Sequence, residues 1–268
     1  MAKFVAAGAD ATITLKSKGE TTKVDLYSEE GYELLAGLWT KLTAQFRRQY
    51  DISWLGVPII QFPEDIVVLQ ELIWRVRPDV IVECGIAHGG ALLLYATVCE
   101  AIGHSHIVGV DVEIRAHNRV AIEAHPLSSR IELIEGSSVA AQTFAKVQAR
   151  CAGAQRVLVL LDSNHAADHV ARELELYHQL VTPDSYLVAM DGAQGQVYDI
   201  PSGQRAWRRD NPLPAIRDFL ERHPEFENDG HFTRLKATSS PDGFLRRRRR
   251  EEMPARDAAG AGVVAGAA

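Results

Sequence analysis

Residues 80–90 read VIVECGIAHGG. A β-branched run with no polar break passes into Glu83 and Cys84, then into a loop punctuated by Gly85, Gly89 and Gly90. An apolar strand that ends in an acid and turns through glycines toward a helix is a ligand-holding arrangement. Glycine lets the backbone pass close to a bound molecule, and the helix N-terminus presents unpaired N–H groups to it. The spacing is neither GxGxxG nor GxxxxGK[ST], so neither a dinucleotide fingerprint nor a P-loop is present. What remains is Glu-x-Gly-x-x-x-Gly-Gly. Cys84, at the end of a buried strand, reads as a small packed hydrophobe. A Cys84–His88 nucleophile pair lacks a third orienting group. The stretch is therefore read as a cofactor loop.

The same pattern repeats outward from it. VIVE (80–83), HIVGVD (106–111), RIELIEG (130–136), RVLVLLD (156–162) and SYLVAMD (185–191) are strand candidates. Helical periodicity fills 89–102, 115–123, 138–151, 166–181 and 212–223. Nearly all-apolar strands belong in a parallel sheet covered on both faces, and strand–helix alternation gives a doubly wound α/β fold. Four of the strand candidates end in an acid: Glu83, Asp111, Asp162 and Asp191. In an open parallel sheet these ends border the ligand crevice. Ahead of the sheet, apolar residues at helical spacing over 27–50 predict a helix. WLGVPIIQFPED (54–65) reads as an ordered loop, and Pro63-Glu64-Asp65 opens a second helix that Pro78 ends.

Bulk properties narrow the classes of function. The chain has 268 residues and a formal net charge of -6, which argues against a general nucleic-acid binder. Three scattered cysteines (Cys84, Cys99, Cys151) with no CxxC pair predict neither a disulfide framework nor a structural zinc site, and fit a reducing cytoplasm. The N-terminus has no apolar run of signal length, and no run of about 18 apolar residues predicts a membrane span.

With WLGVPIIQFPED, RPDVIVECGIAHGG, GVDVEIR, IELIEGSS, LVLLDSNH, YLVAMDG, NPLPAIRDFL and SSPDGFLRR in this order over roughly 50–247, the chain resembles a class I S-adenosylmethionine-dependent methyltransferase. More closely it resembles the cephalosporin hydroxylase family, which includes rhamnosyl O-methyltransferases. The resemblance implies a mostly parallel seven-stranded sheet of Rossmann-like type with an N-terminal helical extension. The chain is accordingly read as a flexible arm (1–26), a helical extension and lid loop (27–78), a catalytic domain (79–248) and, from its charge run and Ala/Gly composition, a disordered tail (249–268). The resemblance implies that Glu83 and Gly85 line the methionine end of the cofactor, with His88, Gly89 and Gly90 around its amino-acid group. Asp111 would hold the ribose, Ser137 and Ser138 would lie near the adenine, and Asp162 would face the sulfonium. It also implies a homo-oligomer and a small hydroxylated acceptor, a sugar or antibiotic-type secondary metabolite.

Methyl transfer to an aliphatic hydroxyl needs alignment and removal of a proton, by a base or with help from a divalent cation. Asp162 and Asp191, on neighbouring strand ends, are the expected Mg²⁺ ligands, and His165 is the expected base. Family members often carry an adjacent acidic pair where this chain has Met190-Asp191, so Gln194, Asp199 or His165 would complete the ligand set. His169 follows His165 at i, i+4, but HAADH lacks the Glu of a zinc hydrolase motif. WLGVPIIQFPED is a candidate lid, and Gln196, Tyr198 and Trp207 are candidates for an acceptor wall. Two rival readings stand beside this one: a catalytically idle binding or assembly protein of the same fold, and another nucleotide-cofactor enzyme of doubly wound fold.

Overall fold

The computed structural model describes residues 3–5, 11–17 and 20–253. Strands β1 (Lys3–Val5), β2 (Thr12–Ser17) and β3 (Glu20–Asp25) form an antiparallel three-stranded sheet. The described residues of the stretch read as a loose arm (1–26) thus include three paired strands. Within TITLKS and ETTKVD, Ile13 and Val24 are paired across the two strands and both are buried. Threonine-rich alternation of this kind suits a pleated, one-sided surface. The tail expected over 249–268 falls outside the described residues from 254 onward.

Helix α1 (Glu29–Phe46) begins at Ser28, whose hydroxyl accepts from the Gly31 N–H at 3.0 Å. A two-stranded ribbon, β4 (Ser53–Trp54) and β5 (Val57–Pro58), shapes the loop that follows. Helix α2 (Pro63–Val76) opens with proline and acids as its sequence predicts. Then comes the alternating series: β6 (Val80–Cys84), α3 (Gly90–Ile102), β7 (His106–Asp111), α4 (Ala116–Glu123), β8 (Ile131–Glu135), α5 (Ala141–Cys151), β9 (Val157–Leu161), α6 (Ala167–Tyr177) and β10 (Tyr186–Ala189). The short α7 (Gln194–Val197), α8 (Pro212–Arg222), β11 (Phe226–Asn228) and β12 (Phe244–Arg247) complete it.

The main sheet has seven strands in the order β11-β12-β10-β9-β6-β7-β8. The five strands β6 to β10 are parallel, and β12 runs antiparallel to both β10 and β11. Both faces are dry. Ile81, Ile107, Leu158, Leu160 and Val188 pack on the side of α2 and α3, while Val82, Val108, Val159, Leu161 and Leu187 pack on the side of α5, α6 and α8. This period-2 division of apolar runs is why continuous β-branched segments read as buried parallel strands. The chain leaves β6 toward β7 on one side and returns beside it with β9 on the other, so strand order reverses between β6 and β9, where a crevice opens at the carboxyl ends.

The arginine run that begins in β12 lies at a charged edge. Arg246 pairs with Asp184, Glu227 and Glu252 at 2.7–2.8 Å, Arg248 pairs with Glu227 at 3.0 Å, and Arg249 pairs with Asp184.

Candidate active site

The crevice is built from strand ends and the loops that leave them. After β6 the chain turns through Gly85 (φ +90°), where a Cβ would lie 2.1 Å from the Asp162 carbonyl oxygen. At Gly90 a Cβ would lie 2.3 Å from the Pro58 carbonyl oxygen. Both glycines are therefore required by close backbone approach, and that approach brings β9 and the 54–62 loop against the N-terminus of α3. Asp111, at the end of β7, holds the loop from below: its Oδ2 accepts from the Ile86 N–H at 2.9 Å and the Ala87 N–H at 3.3 Å. Asn118 Nδ2 donates to the Ala87 carbonyl at 2.8 Å, and its Oδ1 lies 3.4 Å from His88 Nδ1.

A cleft of about 250 Å³ runs along this loop. Among the expected residues it gathers Glu83, Gly85, His88, Gly90, Asp162, His165 and Asp191 on its walls. Gly89, Asp111, Ser137 and Ser138 are not on those walls. Ser138 is buried, with its hydroxyl 3.2 Å from His169 Nε2. His169 in turn meets Ser163 Oγ at 3.1 Å and Glu173 at 3.4 Å, so it faces away from His165 rather than pairing with it. Ser137 supplies its carbonyl to the Ala140 N–H at 3.0 Å.

Glu83 is fully buried. Its Oε1 accepts from the Tyr95 hydroxyl at 2.9 Å, and its Oε2 has no partner. Burial pushes its carboxyl up to about 8, against the lowering effect of the Tyr95 hydrogen bond. An unpaired buried carboxylate oxygen on a cleft wall is costly to keep and is satisfied by a cationic donor. Gln61 presents the complementary case: its Nε2 approaches Asp162 Oδ2 at 3.4 Å, and its Oε1 is buried without a partner. These orphaned acceptors, with the glycine cradle, fit the ammonium and close-packed backbone contacts of an amino-acid-bearing cofactor.

Asp162 follows β9, and its N–H donates to the Cys84 carbonyl at 2.7 Å. Asp191 follows β10 with φ +60°, a left-handed conformation that turns its carboxylate back over the strand ends. Each of Asp162, His165 and Asp191 offers one ligand atom, and these lie within 4.8 Å of one another. His165 Nε2 is 3.2 Å from Asp191 Oδ2. The Asp162 carboxyl is pushed well above its usual range, first by burial and then by the facing Asp191 charge. Two carboxylates and an imidazole held this close are a donor set for a divalent cation. Of the substitutes for the missing acid, His165 joins the cluster. Asp199 is instead paired with Lys41 at 2.7 Å. Met190 is buried, with its sulfur 4.0 Å from Gln61 Nε2.

A second cleft, about 350 Å³, opens on the far side of His165 and Asp191. Thr40, Ala44, Arg47, Gln49 and Tyr50 form one wall, and Gln194, Val197 and Trp207 the other. Gln196 and Tyr198, expected on an acceptor wall, are not among its lining residues; Gln196 is exposed and Tyr198 packs against Arg208. Helix α1 closes this cleft through Lys41–Asp199 and through Gln45, whose Oε1 accepts from the Ser202 N–H at 3.0 Å. Gln49, Tyr50 and Phe62 line both clefts. Sequence reasoning did not find Gln49, Tyr50 or Gln61; the only signal was the candidate lid that contains Gln61.

A doubly wound sheet with β12 inserted antiparallel, glycine loop and acids at the β6 and β9 ends is the architecture of class I methyltransferases. The Rhamnosyl O-methyltransferase/CmcI family model matches residues 47–248, and the chain belongs to that family. A Rhamnosyl O-methyltransferase of Mycobacterium bovis is 24% identical over 226 residues, covering 82% of this chain and 85% of the relative. One from Mycobacterium leprae is 27% identical over 202 residues, covering 73% and 83%. Among solved structures, an apo-structure of CmcI superposes with a TM-score of 0.53 at 19% identity, covering 75% of this chain and 77% of that one. CmcI with Mg and SAM gives 0.53 at 17% identity, covering 75% and 78%. At those identities the superpositions establish the fold. No described helix is long and apolar enough to cross a membrane.

Proposed function

We propose that the chain is an S-adenosylmethionine-dependent O-methyltransferase acting on a hydroxyl of a small molecule, a sugar or antibiotic-type secondary metabolite. The observation that carries this reading is the pair of clefts that meet at His165 and Asp191, one walled by the unpaired Glu83 carboxylate and the glycine loop, the other by polar and aromatic side chains. S-adenosylmethionine supplies the activated methyl group when bound. In the first cleft Glu83 would take the cofactor ammonium and Gly85, His88 and Gly90 would line its amino-acid portion; Gly89 turns the loop behind them, and Asp111, bonded to the loop amides outside the walls, would be the residue to reach the ribose. Ser137 and Ser138, which do not line this cleft, would bound the adenine side only from behind it.

The acceptor hydroxyl enters from the second cleft. His165 Nε2–H donates to Asp191, which leaves the lone pair on Nδ1 to take the hydroxyl proton. Asp162 and Asp191 are the residues that would hold Mg²⁺, whose charge would lower the hydroxyl pKa. The name of the mycobacterial relatives supports a deoxysugar hydroxyl as the first acceptor to test. Tyr32, Trp39, Leu42 and Phe46 are exposed on α1, and with Leu35 they repeat at alternating three- and four-residue steps, the spacing of a helix–helix seam. That stripe supports a homo-oligomer. All three cysteines are free and buried, which supports a reducing, cytoplasmic setting.

The test is incubation of the purified chain with S-adenosylmethionine, Mg²⁺ and a panel of rhamnosides and hydroxylated metabolites, followed by mass spectrometry of the acceptors. Gain of one methylene in at least one acceptor, lost in Asp162→Asn, supports the reading. Cofactor binding without transfer to any acceptor supports an idle protein of the same fold.

A further inference from the structure

One helix length behind the active site, about 16 Å along α6, lies a second cluster of metal-ligating groups. Glu175 and His178 stand one turn apart at the C-terminal end of α6, and His223 caps the C-terminal end of α8. Each offers one ligand atom, and the three lie within 4.8 Å of one another. His223 Nε2 is 3.2 and 3.3 Å from the two Glu175 oxygens. That is already the separation of two ligands about 2.0–2.1 Å from a tetrahedral ion, roughly 3.3 Å.

The surroundings of both rings match those of metal ligands. A ligating histidine nearly always gives its other N–H to a carbonyl or carboxylate, which fixes the tautomer and turns the free lone pair to the ion. His178 Nδ1 faces the Leu174 carbonyl at 3.1 Å, and His223 Nδ1 faces Glu225 Oε1 at 3.1 Å. His178 Nε2 is thereby left for a third party, and His223 Nε2 is turned onto the Glu175 carboxylate, the other ligand. Phe219 stacks on the His223 ring with centroids 4.2 Å apart, and Phe219 and Phe226 meet the His178 ring edge-on. The rings sit 4.5 Å apart, held by packing rather than by each other. Arg222 engages Glu175 Oε1, which orients the carboxylate and leaves Oε2 for an ion.

We propose that Glu175, His178 and His223 form a zinc-type divalent-cation site that staples the C-terminal ends of α6 and α8, separate from the active site. Two imidazoles and one carboxylate suit Zn²⁺ or Co²⁺ over Mg²⁺, with water completing four-coordination. Glu225 is a positioning residue behind His223. The site does not depend on the methyltransferase reading.

The test uses full-length protein carrying Asp162→Asn and Asp191→Asn, so that the active-site carboxylates do not compete, stripped with chelator and titrated with ZnCl₂ by calorimetry and with CoCl₂ by visible absorption. The expected result is one saturable equivalent, a tetrahedral Co²⁺ spectrum and a rise in melting temperature. His178→Gln and His223→Gln each abolish all three, and Glu225→Gln weakens binding about 10- to 100-fold. Circular dichroism of the metal-free variants checks that each is folded, and Glu175→Gln serves as the third ligand deletion if either histidine variant is not. No saturable binding in the parent, or binding that survives the ligand deletions, overturns the proposal.

Discussion

Replacing Glu83 by Gln tests whether the buried carboxylate is kept for a ligand at the expense of stability. Glu83 is wholly enclosed, makes one hydrogen bond through Oε1 and leaves Oε2 unpaired. Its carboxyl titrates near 8 in the folded chain, against 4.5 for the free group. Between those values the folded state holds a proton that the unfolded state has released, so this group makes stability fall as pH rises from about 4.5 to about 8. At pH 7 the window crossed is roughly 2.5 units, or about 3 kcal/mol at 1.36 kcal/mol per unit. Glutamine has the same shape, keeps an oxygen for Tyr95 and has no proton to take up. Glu83→Gln is therefore expected to raise the melting temperature of the ligand-free protein at pH 7 by roughly 5–10 °C, with the gain shrinking to nothing near pH 4.5. The same change removes the negative partner of the cofactor ammonium and weakens S-adenosylhomocysteine binding at least tenfold. Thermal melts at pH 5 and pH 7 with calorimetry on both proteins read this out. A variant no more stable than wild type at pH 7, or a difference that does not grow with pH, refutes the argument that burying the Glu83 carboxylate costs stability.

Gly85→Ala places a Cβ 2.1 Å from the Asp162 carbonyl at a φ of +90°; the left-handed backbone alone costs about 1–2 kcal/mol, and calorimetry should show cofactor binding lost along with a lowered melting temperature. Asp65→Ala leaves the Thr238 hydroxyl (2.6 Å) and the Ser239 N–H (2.7 Å) without their buried acceptor, a loss of about 1–3 kcal/mol; because burial pushes the Asp65 carboxyl up to about 6, urea unfolding should show the loss largest near pH 4 and smaller at pH 7. His165→Gln lowers kcat about 10²- to 10⁴-fold while cofactor affinity stays within a few-fold of wild type, in steady-state assays with the acceptor identified by the panel.

Strands β6, β7, β9 and β10 were legible because each is a nearly all-apolar run bounded by turns, and the edge strand β8, IELIE, because it alternates apolar and acidic residues. The edge strand β11 and its neighbour β12 were not, because FEN and FLRR are short and charged and pair antiparallel. The β2–β3 pair was missed for a related reason: TITLKS and ETTKVD bury few side chains, and their polar composition reads as an arm. In the cleft, Glu83, Asp162 and Asp191 were legible because a strand end is a fixed address, and Gly85 and Gly90 because the loop leaves no other residue type room. Gln49, Tyr50 and Gln61 arrive from outside the sheet, so no strand pattern locates them. Ser138 was given to the adenine edge, but its hydroxyl turns inward to His169. His178 and His223 meet only because α6 and α8 end side by side, a contact that neither segment announces.

The most direct test of the central claim is calorimetric titration of the folded chain with S-adenosylmethionine and S-adenosylhomocysteine, each with and without Mg²⁺. Saturable binding of both, one ligand per chain and weakened by Glu83→Gln, is the predicted result. Absence of binding by either ligand to a well-folded sample would contradict the account.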